Sequence, residues 1–187
     1  MKSQYSFPLV AAFVILAGLL GAGIGYAFTS EYRLSMYEKT TMDLGRPDRT
    51  LDLRYVNAMI AHHRGAMLVA EQAKKSERTE VKNLAEAILK DEPKAIAELY
   101  AWKKDWYGDE RSVKDPLVPK LGSYDKTFDL RFLNAVIAHH ENGVAMTGDV
   151  RLKSSRSAVL DNADAVEAFL KGGIVMLSKW RSEWYSL

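Results

Sequence analysis

From residue 51 onward the chain places Leu51, Tyr55, Ala58, His62, Ala66, Val69 and Ala73 at steps of three and four, the spacing of a helix with one buried face. Thr79 is placed to cap a second helix, which the pattern carries to Tyr107 before Gly108. The spacing returns in Phe128, Phe132, Ala135, His139, Met146 and Val150, followed by a turn at "KSSRS" and a helix to the C-terminus. No stretch reads as a strand. Each half is therefore a helical hairpin, with turns centred near residues 77 and 155, and neither hairpin covers its apolar stripe alone. Packing the two together predicts an all-α four-helix bundle with pseudo-twofold symmetry.

The halves are copies. "DLRYVNAMIAHH" (52–63) and "DLRFLNAVIAHH" (129–140) agree at nine of twelve positions, and "WKKDWY" (102–107) answers "WRSEWY" (180–185) with one residue inserted between the markers. Repeat one spans 50–107 and repeat two spans 127–187. Between them "GDERSVKDPLVPKLGSYDK" (108–126) carries two prolines and two glycines, a linker long enough to cross one end of a bundle.

Ahead of the bundle (50–187) lie a connector, 30–49, and a first segment, 1–29. Within that segment "FPLVAAFVILAGLLGAGIGYAF" runs from Phe7 to Phe28 without a charge. Its 22 residues, at about 1.5 Å each, match a bilayer core. The length points to an N-terminal transmembrane helix that anchors the bundle on the periplasmic or extracellular side. Gly25-Tyr26-Ala27 would also pass as a signal-peptidase site. Ala17, Gly21 and Gly25 form a small-residue stripe that would let two such helices approach, so a homo-oligomer or a protein partner is compatible with the segment.

Composition removes several classes. The formal net charge is +2, with basic and acidic residues interspersed, so there is no electrostatic footprint for nucleic acid. The chain has no cysteine, which excludes disulfides, thiolate metal sites and a cysteine nucleophile. No catalytic motif is present, and no enzymatic activity is expected.

What remains is the histidines. The chain has four, all in two adjacent pairs at matching places: His62-His63 and His139-His140. Neighbouring helical residues point about 100° apart, so His62 and His139 fall on the core stripes while His63 and His140 fall on the flank. Met59, His63 and Met67 stand at four-residue spacing on one face, and His139 shares a stripe with Met146. Imidazole with thioether suits Cu(I) better than a hard cation. A di-iron site is excluded, because neither pair has a glutamate three residues before it. On the opposing helices Pro93 and Gly172-Gly173 lie level with the pairs, and both are expected to kink or interrupt their helix and free carbonyls for the imidazoles. Asp91 and Glu92 also lie near this level, but Phe169 and Leu170 answer them in the second half, so no symmetric carboxylate site forms. Asp52 and Asp129 read as exposed or first-turn acids, Arg54 and Arg131 as inter-helix salt bridges, and the paired tryptophans as closing the base of the bundle.

"MIAHHRGAMLVA" and "VIAHHENGVAMTG", each followed on a second helix by tryptophan, resemble the DUF305 family of ferritin-like bundle proteins. Its pattern has proline before the pair and methionine six residues after it. Here Ala61 and Ala138 precede the pairs, Val69 replaces the first methionine and Met146 retains the second. Some members are associated with copper binding or tolerance, so the resemblance implies copper as the cofactor. Two classes stand: a membrane-anchored envelope metal-binding protein that buffers or delivers copper through His62, His63, Met59, Met67, His139, His140 and Met146, or a metal-free anchored bundle serving as an accessory subunit.

Overall fold

A computed structural model describes residues 43–186, and the expected membrane segment lies outside them. Four helices follow in order: α1 (Leu51–Ala73), α2 (Thr79–Tyr107), α3 (Phe128–Lys153) and α4 (Ser157–Tyr185). Among the described residues there is no strand, and no helix is long and apolar enough to cross a membrane. α1 and α3 form the centre, and α2 and α4 pack on them as hairpin partners.

The apolar core is divided. Leu51 through Ala61 of α1 pack with Leu99 of α2, Met146 and Val150 of α3, and Val159 and Ala163 of α4. At the other end Val69, Ala70 and Ala73 pack with Val81 and Ala85, Phe128 through Ile137, and Leu177. The first half of α1 thus meets the second half of α3 and the reverse, so the two central helices are antiparallel. Between the clusters lie the histidines.

Helix starts are built twice from the same parts. The Asp48 carboxylate accepts hydrogen bonds from the Thr50 amide and hydroxyl, and Asp125 does the same for Thr127. Arg54 Nε donates to the Leu44 carbonyl at 2.6 Å and Arg131 Nε to the Leu121 carbonyl at 2.7 Å. Both guanidiniums therefore clamp the loop before their own helix and do not bridge helices as the sequence suggested. The Leu44 amide then donates to Asp149 and the Leu121 amide to Gln72, tying each loop to the opposite central helix. The structural repeat therefore begins at Leu44 and Leu121, several residues earlier than 50 and 127.

The linker crosses more than one end. Val113 N–H donates to the Tyr100 hydroxyl, Arg64 pairs with Asp115, and Gln72 Nε2 donates to the Pro119 carbonyl. Residues 108–121 thus run as a strap along α1, from the first apolar cluster to the second. Gly108 closes α2 in the left-handed region, at φ 61°.

Three further sequence expectations are corrected. Thr79 is the first residue of α2, while Arg78 occupies the cap position with extended backbone. Asp52 and Asp129 do lie in the first turns of α1 and α3, but they are not exposed. Asp129 is buried and Asp52 largely so, because Arg156 covers Asp52 and Arg78 covers Asp129, and these arginines stack in turn on Trp106 and Trp184 at 4.2 and 4.3 Å. The tryptophan pairs Trp102–Trp106 and Trp180–Trp184 pack on different clusters, so they close opposite ends of the bundle.

Candidate metal centre

The antiparallel pairing of α1 with α3 brings the four histidines of the chain into one row. His62 and His139 stack face to face across the pseudo-twofold, with centroids 3.7 Å apart and planes 9° apart. His63 stands edge-on to His62 at 6.1 Å, and His140 is tilted from His139 at 5.8 Å. The stripe that places His62 and His139 in the core and turns the other two to the flank produces this row directly.

All four rings line one cavity of about 460 Å³. Its floor is α1 and α3, and its walls are Leu84 to Ala95 of α2 and Ala165 to Leu170 of α4. The lining is mostly apolar, with Asp91 and Glu92 on the α2 side, Phe169 and Leu170 on the α4 side, and no lysine or arginine. Burial holds His62 and His139 well below their ordinary value, aided by neighbouring imidazoles, and burial brings His140 down to about 4. These three rings are therefore neutral at physiological pH, the form in which imidazole has a lone pair to give a metal.

The outer rings differ. His63 Nδ1 meets Glu92 Oε2 of α2 in a short contact. His63 Nε2 and His140 Nδ1 are buried without a hydrogen-bond partner. Gly143 and Gly173 make room for the rings. A Cβ on Gly173 would land 2.5 Å from His140 Cδ2 and Nε2, and one on Gly143 would overlap Leu170 and lie 2.8 Å from His62 Cε1.

Pro93 and Gly173 are level with the histidines as expected, but α2 and α4 run through them without interruption. The partner that α2 offers is the Glu92 carboxylate, so symmetry was a poor guide to this acid. The methionines lie apart from the cavity lining. Met59 and Met146 are buried in the first apolar cluster, and Met67 lines a second groove of about 420 Å³ with Arg64, Leu89, Pro93 and Asp115. Among the described residues, no three His, Asp or Glu side chains converge as a ready-made metal cluster.

The family model of DUF305, a domain of unknown function, matches residues 52–128, which cover the first repeat and the strap. No curated protein sequence matches the chain. Among solved structures it is similar to "CopM in the Cu(I)-bound form", with 27% identity, a TM-score of 0.64, and coverage of 72% of this chain and 97% of that one. "CopM in the Cu(II)-bound form" gives 26% identity and a TM-score of 0.60 over 72% and 97% of the two chains. "CopM in the apo form" gives 27% and 0.63 over 72% and 98%.

Proposed function

We propose that this chain, whose residues 52–128 match the DUF305 family model, binds copper in the four-histidine cavity and buffers or delivers the ion. The observation that carries the reading is a pair of buried, unpartnered ring nitrogens, His63 Nε2 and His140 Nδ1, on rings that line a cavity without a cationic side chain. An unsatisfied buried polar atom costs about 1–3 kcal/mol, and a metal ion would satisfy a neutral imidazole there. The likeness to CopM, solved with Cu(I), Cu(II) and silver, supports copper over a harder cation.

The donor set fits a soft ion. His63 and His140 would supply the first nitrogens. The thioethers of Met59 and Met67, one helical turn to either side of His63, and of Met146, two turns beyond His139, lie outside the cavity lining and would have to turn toward it to ligate. The stacked His62 and His139 line the floor and hold the halves in register, and no residue acts on a substrate. Residues 7–28, apolar and uncharged, would anchor the protein with the bundle outside the cytoplasm.

Competition of the purified full chain in detergent with a chromogenic Cu(I) chelator tests this. Wild type should withdraw copper from the chelator and a His63→Gln/His140→Gln variant should not, while Met59→Leu/Met67→Leu, which nearly conserves volume, should weaken binding if the thioethers ligate. Equal behaviour of wild type and the histidine double variant would leave the metal-free accessory bundle as the reading.

A further inference from the structure

The two outer histidines occupy matching positions in the repeats, yet their surroundings do not match. Glu92 holds His63 by Nδ1, whereas the residues that answer Asp91 and Glu92 are Phe169 and Leu170, and Phe169 lies 6.2 Å from the His140 ring. No carboxylate lines the cavity on the α4 side. The atoms left without a partner differ accordingly: Nε2 in the first half and Nδ1 in the second.

We propose that Glu92 is a positioning residue that fixes His63 as the Nδ1–H tautomer and so assigns its Nε2 lone pair to the cavity, making the two halves inequivalent metal sites. This rests on the copper reading above only for the identity of the ion. The physical reason is that a carboxylate accepting the far N–H of an imidazole orients the ring, selects the tautomer and makes the near nitrogen a stronger donor. His63 and Glu92 are both largely buried, with side-chain exposures of 12% and 17%, so solvent competes weakly for the bond. The negative charge also favours a more highly charged ion at His63 than at His140, where the wall is Phe169 and Leu170.

Two variants separate the parts. Glu92→Leu installs the residue that the second half carries and removes the acceptor, while Glu92→Gln keeps an acceptor oxygen and removes the charge. The direct readout is the tautomer of His63 in the metal-free full chain, from long-range ¹H–¹⁵N correlation of ring-labelled histidine at fixed pH. Wild type and Glu92→Gln should show Nδ1–H at His63, Glu92→Leu should lose that preference, and His140 should be unchanged in all three. In chelator competition Glu92→Leu should weaken the tighter site by about 10–100-fold, with Glu92→Gln between it and wild type. A wild-type His63 found as Nε2–H, or one indifferent to Glu92→Leu, overturns the proposal. If the tautomers behave as stated but wild type takes no copper, the positioning role stands and the copper reading falls.

Discussion

At His140 the ring is neutral because the helices around it exclude water, and this has a consequence for stability. The folded value is depressed to about 4, while the unfolded chain titrates near 6.5. As pH falls below about 6.5 the unfolded state takes up protons before the folded state does, so folding weakens. The loss approaches about 1.4 kcal/mol per pH unit for each such histidine. His62 and His139, shifted in the same direction, add to the slope. Urea midpoints of the metal-free protein should be flat above pH 7 and fall between pH 6.5 and about 4. A midpoint unchanged from pH 7 to 5 would show that the rings are hydrated. The adjacent glycines give a second residue-scale test. Gly172 has open space around it, so Gly172→Ala should stabilise α4 by about 0.5–1 kcal/mol. Gly173→Ala drives a methyl into His140 and should destabilise by about 1–3 kcal/mol. Thermal melts of the two variants should move in opposite directions, and a shared direction would mean that His140 does not rest on Gly173.

Each central helix is entered through a clamp that one arginine organises. Arg131 Nε holds the Leu121 carbonyl, its Nη2 reaches the Ser123 carbonyl, and its guanidinium, with Thr127, keeps the Asp125 carboxyl down at about 2. Lysine is a single-point donor and cannot reproduce the fork. Arg131→Lys should cost about 1–2 kcal/mol and speed amide exchange at Leu121, whose N–H is otherwise held by Gln72. Unchanged exchange there would mean that Gln72 alone fixes the loop. The helices themselves were legible, because stripes at steps of three and four mark α1 and α3, and Gly108 marks the end of α2. The clamps were not. "LGRPDRT" and "LGSYDKT" share only Leu, Gly, Asp and Thr, residues that look like ordinary loop chemistry until a guanidinium is seen to gather them.

For the whole molecule, tandem repetition dictates a pseudo-twofold, and the twofold brings four histidines together. That much of the site could be read from two copies of one motif. Two things could not: that the inner rings stack, which depends on the axial register of α1 against α3, and that Glu92 reaches His63, which symmetry argued against because Leu170 answers it. The methionine stripe illustrates the opposite limit. Four-residue spacing puts Met59 and Met67 on one side of a lone helix, but packing sends Met59 into the core and Met67 to a separate groove. The most direct test of copper binding at the histidine row is anomalous diffraction at the copper edge from crystals of the protein loaded with Cu(I). Density within bonding distance of His63 Nε2 or His140 Nδ1 is the expected result. Copper found only at an exposed thioether, such as Met176 on α4, with none at the histidines, would contradict it.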